Sequence, residues 1–195
     1  TIRVLPALII VFREVFEAGL IIGIILAVTK SVAGRNWWIG GGLLGGIVVA
    51  CLVAIFARAL SGLFAGFGQE LFNAGILATA VVMLTWHNVW MARHGRELAS
   101  EVHAVGQAVV QGSKSLLALA IVVGVAVARE GSEVVLFLFG VLATEGSSGV
   151  GVALGGVIGL ALGALVCLLT YAGLLRIPMK NLFAVTTMLI ALLAA

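Results

Sequence analysis

Arg13-Glu14-Val15-Phe16-Glu17 and Arg129-Glu130-Gly131-Ser132-Glu133 write the pattern R-E-x-x-E twice, each time inside an apolar run long enough to cross a bilayer. A charged side chain at the bilayer centre costs about 2.5–3.5 kcal/mol on insertion scales, so three on one span are kept only where they are used. On a helix the two carboxylates of a pentad share a face, and the Arg lies one turn from the second Glu and can pair with it. Each pentad then retains a net negative charge. Two facing pentads offer Glu14, Glu17, Glu130 and Glu133 as carboxylate ligands, with Arg13 and Arg129 as supports. Hard oxygen donors of this kind take a highly charged cation. The competing account is plain salt bridging between helices, but a helix held only by packing avoids so many central charges.

The elements that must carry these residues are membrane helices. The chain is 63% hydrophobic and only 10% charged, and its mean hydropathy of +1.27 lies outside the range of soluble domains. The net charge of +3 does not indicate a nucleic-acid partner, because the basic residues sit singly at the ends of apolar runs, as topology signals do. The first apolar stretch has no small-residue cleavage site, so it is expected to remain as the first span rather than be removed as a signal peptide. Cys51 and Cys167 have no metal-type spacing and are read as buried packing residues.

A membrane helix needs about twenty apolar residues, which predicts spans near 4–28, 37–60, 70–91, 115–142, 150–175 and 179–195. The last is short and ends without a polar cap, so part of the natural C-terminus is expected to be missing. Lys30, Arg35, Arg93, Arg96, Lys114, Arg176 and Lys180 follow the odd-numbered spans, against Arg3 and Arg58 on the other side. Those connections are therefore expected in the cytoplasm and the N-terminus outside. Trp37, Trp38, Trp86 and Trp90 are expected as interfacial anchors.

Arg13 and Arg129 are 116 positions apart, and so are Cys51 and Cys167. That common offset suggests a duplication, with repeats at about 4–91 and 115–195 inside one transmembrane domain spanning 1–195. Three spans per repeat force the second copy into the membrane from the opposite side. The expected fold is thus an all-α polytopic bundle built as an inverted repeat of three plus three helices, with a site near the midplane. Glycines spaced by four, at 151, 155, 159 and 163 and in the pairs 41/45 and 42/46, are expected to let helices approach closely. They lack the Lys-Ser/Thr of a phosphate-cradling loop.

Other polar residues carry weaker signals. Glu70 and Asn73, at the outer start of the third span, are candidates for an outer access site; Glu70 equally suits a helix N-terminus for its dipole. His87 is placed about one turn from the cytoplasmic end of that span, where packing and metal contact are both open. His94, Glu97 and Glu101 share a helical face near His103, as an exit-side relay or simply a solvated face. Glu145 is expected to be a solvated loop residue. No nucleophile and base occur at catalytic spacing, and no H-E-x-x-H or G-x-S-x-G pattern is present, so no enzyme is expected.

The segments R-E-V-F-E-A-G-L-I at 13–21, A-R-E-G-S-E-V-V-L-F at 128–137, Q-E-L-F-N at 69–73, L-T-W-H-N-V-W-M-A-R-H-G-R-E-L at 84–98 and R-I-P-M-K-N-L-F-A-V-T at 176–186 resemble the oxidase-dependent iron transporter family, the high-affinity ferric iron permeases of fungi and bacteria. The resemblance covers essentially the whole chain. It implies seven spans with an outside N-terminus, the seventh absent here, and Fe(III) carried by Glu14, Glu17, Glu130 and Glu133 with Arg13 and Arg129 alongside. It further implies a cytoplasmic-membrane permease with no permanently bound cofactor, supplied by an extracytoplasmic ferroxidase or iron-binding protein. Val15 stands where many relatives have Gly, and Asn73 where they commonly have a second Glu. The alternatives are uptake of another heavy-metal cation such as lead, or a membrane metal oxidoreductase. The latter usually sets His beside carboxylates, and both pentads lack it. Assembly into a homo-oligomer is left open.

Overall fold

The computed structural model describes residues 4–64, 66, 68–143, 148–173, 184–185 and 188–189. The described residues form five helices: α1 (Leu5–Val28), α2 (Arg35–Leu63), α3 (Gln69–Val110), α4 (Leu117–Ala143) and α5 (Gly149–Tyr171). Of the expected sixth span, residues 184–185 and 188–189 are helical, and Arg176, Lys180, Arg3 and Glu145 lie outside the described residues. The chain is all-α, as its hydropathy pattern requires.

Local sequence explains most helix ends. Pro6 stands in the first turn of α1, where its fixed φ suits a helix and its missing N–H costs nothing. The Thr29 hydroxyl closes α1 by donating to the Ile25 carbonyl at 2.6 Å, and Arg35 Nη1 donates to the Leu26 carbonyl at 2.6 Å. A residue expected only as a topology signal thus also caps a helix. Gly34, at φ 78°, lets the chain turn directly into α2. Gly112, at φ 77°, follows the end of α3, and the Ser148 hydroxyl accepts from the Gly151 N–H at 3.1 Å to start α5.

The third helix departs from expectation. In place of a span closing at Met91 and a loop over 92–114, α3 continues unbroken for 42 residues to Val110, about 63 Å at 1.5 Å per residue. Its last turns are held by apolar burial: Val102 and Val109 join Ile25 of α1, Ile39 of α2 and Leu119, Val123 and Val127 of α4 in one core. The charges at 93–101 mark exposed faces of a helix rather than its end.

Helix α1 packs along α5 and α2 along α4, while α1 meets α4 at the centre and α3 leans on both. Glycine decides the first two contacts. A Cβ on Gly155 or Gly159 would strike the α1 backbone at Val4 or Leu8, and one on Gly42 would strike the Ala120 backbone of α4. Gly41 and Gly45 face open space, so of the two expected pairs only 42/46 forms the contact. Helices α2, α3 and α5 are long and apolar enough to cross a membrane. Leu44, Leu52, Ile55, Phe56, Leu154 and Leu168 stand exposed on them, as lipid-facing side chains do. Cys51, expected to be buried, is exposed, and only Cys167 is partly covered.

Candidate metal centre

Where α1 and α4 meet, the two pentads face each other across a dry interface. Arg13, Glu14, Glu17, Glu130 and Glu133 are all at least 95% buried. Arg13 Nε donates to Glu17 Oε1 at 3.1 Å, and Arg129 Nε donates to Glu133 Oε1 at 3.4 Å. The one-turn pairing read from each pentad is therefore present in both. The arginines differ in surroundings: Arg13 also donates to Asn88 Oδ1, whereas the Arg129 side chain is 38% exposed and its guanidinium stacks over Trp90, 5.0 Å from the ring centre.

A third helix completes the cluster. His87, only 2% exposed, puts Nε2 at 2.7 Å from Glu17 Oε2 and Nδ1 at 3.1 Å from Glu133 Oε2. It was expected near the end of a span that stopped at Met91; because α3 runs on to Val110, the same residue lies between the pentads. Trp86 and Trp90 move with it, so they do not mark the end of α3. Trp90 instead covers Arg129 and stacks with His94 at 5.3 Å between ring centres.

The four glutamates divide into two kinds by position in the pentad. Glu17 and Glu133, the second of each, are held by their arginines and face His87. Glu14 and Glu130, the first of each, are held less: both oxygens of Glu14 and Oε2 of Glu130 are buried without a hydrogen-bond partner, as is Oε2 of Glu133, and Glu130 Oε1 reaches Arg129 Nε only at 4.0 Å. One donor atom from each of Glu14, His87, Glu130 and Glu133 fits within a mutual spacing of 4.8 Å. Buried carboxylate oxygens without donors are expensive. Their convergence with an imidazole makes a donor set of the kind that fits a transition-metal cation.

Packing fixes the pentad helices. Val15 rests against Gly163 of α5. On the other side Gly131, at the matching pentad position, faces Ala50 of α2. One small residue is thus present at each seam, on the partner helix in the first and on the pentad helix in the second. Cys167 fills the space beside Gly19, with its thiol 3.8 Å from the Phe16 carbonyl.

The remaining candidates lie apart. Asn73 accepts from Gln69 Nε2 at 3.0 Å, and the two line a cavity of about 280 Å³ with Ser61, Phe72 and Phe139. Glu70 points away and is exposed. His94 is half-buried, with Nδ1 3.2 Å from the Trp90 carbonyl, and Glu97, Glu101 and His103 are exposed. Sequence reasoning missed Asn88, whose amide oxygen accepts from Arg13. Its one signal was adjacency to His87.

Residues 4–195 match the Iron permease FTR1 family. The ferrous iron permease EfeU of Escherichia coli O6:H1 is 35% identical over 191 residues, which cover 95% of this chain and 68% of that protein. The EfeU of Shigella sonnei is 35% identical over 190 residues, covering 95% and 68%, and that of Yersinia pestis is 33% identical over 190 residues, covering 95% and 66%. No solved structure matches this chain. With both pentads inside a match that runs over residues 4–195, the chain belongs to the Iron permease FTR1 family.

Proposed function

We propose that this chain carries iron inward across the cytoplasmic membrane through the carboxylates of the paired pentads. The observation that carries the reading is Glu14: a carboxylate 1% exposed, with neither oxygen partnered, aimed at Glu130, Glu133 and His87. Buried carboxyl oxygens in that state are ligands that a cation takes in exchange for water. Arg13 and Arg129 hold Glu17 and Glu133 and offset part of the negative charge when no ion is present. The relatives carry iron permease as their name, and the reading extends it to this chain.

The same proposal includes an inverted repeat with the N-terminus outside. It is supported by the packing of α1 on α5 and of α4 on α2, the pairing that exchange of two repeats would generate. The outer polar cavity at Ser61, Gln69 and Asn73 then opens on the side from which a ferroxidase or iron-binding protein delivers the ion. Carboxylates alone suit Fe(III), the form expected from the sequence; an imidazole beside them favours Fe(II).

The experiment is uptake of radiolabelled iron into vesicles reconstituted with purified protein, comparing ferrous iron under reductant with chelated ferric iron and testing competition by lead. Iron uptake that disappears in Glu14→Gln and Glu130→Gln supports the pathway. Undiminished uptake in both removes the pentads from it.

A further inference from the structure

His87 has a defined orientation, and its chemistry follows from its neighbours. Glu17 Oε2, 2.7 Å from Nε2, is on a carboxylate whose other oxygen accepts from Arg13; it accepts here too, so Nε2 carries the hydrogen. Arg129 Nη2, 3.1 Å from Nδ1, can only donate, and it finds an acceptor there only when Nδ1 carries a lone pair. A hydrogen on Nδ1 would oppose that N–H and be donated to Glu133 Oε2 instead. The same Nδ1 faces Glu133 Oε2 at 3.1 Å, and that oxygen has no hydrogen-bond donor. Only a proton or a metal ion between Nδ1 and Glu133 Oε2 relieves their facing lone pairs, and the bare oxygens of Glu14 and Glu130 converge on the same place, which a metal ion uses and a single proton does not.

Building on the pathway reading above, we infer that His87 Nδ1 is a ligand of the transported cation, joining Glu14, Glu130 and Glu133 in a site of one nitrogen and three carboxylates. Glu17 orients the ring: Arg13 holds one of its oxygens and the other accepts from Nε2–H, the carboxylate–histidine support usual behind metal-bound imidazole. The first pentad therefore supplies one ligand, Glu14, and one positioning residue, Glu17. An imidazole in a carboxylate site selects a borderline first-row divalent ion over the hard ions Mg²⁺ and Ca²⁺, so the favoured form of iron is Fe(II).

The chain has three histidines, so the double substitution His94→Gln/His103→Gln leaves His87 as the sole imidazole in protein purified through a histidine-free tag. Cu²⁺ bound to that protein at one equivalent, read by pulsed electron paramagnetic resonance, should show imidazole-nitrogen modulation. His87→Gln should abolish the modulation and raise the Kd for anaerobic Fe²⁺ by about tenfold or more, with Mg²⁺ binding unchanged. Glu17→Gln should keep the modulation and weaken Fe²⁺ binding by about 10–100-fold, the usual effect of losing an outer-shell partner. If His87→Gln does not fold, ¹⁵N-histidine labelling of the His87-only protein asks the same question, since the modulation must change frequency with the isotope. Bound Cu²⁺ without imidazole modulation, or Fe²⁺ affinity unchanged in His87→Gln while Glu14→Gln loses it, overturns the His87 ligand and leaves the carboxylate pathway standing. A protein that binds none of Cu²⁺, Fe²⁺ and Fe³⁺ overturns both.

Discussion

Within each pentad the two glutamates are not equivalent, although the motif prints them alike. Glu17 has both oxygens engaged, by Arg13 and His87, while Glu14 has neither. Replacing Glu14 by Gln removes a buried carboxyl whose two oxygens have no hydrogen-bond donor when the ion is absent. The expected result is loss of iron uptake together with a gain in ion-free stability of ~1–3 kcal/mol, read as a raised melting midpoint. An unchanged or lowered midpoint would show that Glu14 is partnered in the membrane. The arginines should differ as well. Arg13→Ala strands Glu17 in a dry interior and should cost ~3–5 kcal/mol; Arg129, 38% exposed on its side chain, should cost much less. Arg13→Lys keeps the charge but loses the fork that reaches both Glu17 and Asn88. It should keep cation binding and slow uptake.

For the helices, two glycine seams set how near the pentads come. Gly42 and Gly46 of α2 lie against Ala120, Gly124 and Val127 of α4, and Gly155, Gly159 and Gly163 of α5 lie against α1 between Val4 and Val15. Gly159→Val must push α5 off the α1 backbone, and Gly42→Val must push α2 off α4. Each should reduce the yield of monodisperse protein in mild detergent several-fold, as overpacking does. Gly45→Val, on a face open to its surroundings, serves as the control and should leave yield unchanged. Equal losses in all three would mean that helix flexibility, and not close approach, is what these glycines supply. α3 works differently: its far half is fastened by Val102, Gly106 and Val109 to the ends of α1, α2 and α4, and this anchorage keeps His87 level with the pentads.

Across the whole molecule, the proposed topology makes a labelling prediction. In a background carrying Cys51→Ala and Cys167→Ala, single cysteines at positions 31–33 should react only with reagents that reach the cytoplasm. One at Gly66 should react from outside. Spin labels at the exposed starts of α1 and α3 should give short distances to each other and longer ones to the 31–33 turn, since both helices are proposed to begin on one side. Labelling of positions 31–33 from outside would reverse the direction assigned to transport.

Legibility in the sequence followed the range of the interaction involved. Charge against hydropathy was enough to mark both pentads, because six charges in the middle of apolar runs are costly wherever the helices go. The pairing of each Arg with the second Glu was also local, fixed by helix geometry at one-turn spacing. So were four of the five helices, whose limits fall within a few residues of the hydropathy pattern. The course of α3 was not local. Residues 92–110 are polar enough to resemble a loop, and they remain helical because three valine and glycine positions find partners on other helices. His87 then read as a residue near a span end, when the end was about six turns farther on. Which glycine pair forms the seam, which glutamate is left bare and which helix lends the imidazole all depend on contacts between residues 42 to 75 or more positions apart. The sequence by itself determined that carboxylates would be buried in a membrane bundle with their arginines. Only the tertiary structure decided that a third helix adds a nitrogen to them, because that outcome rests on the relative depth of α1, α3 and α4, which no local periodicity encodes.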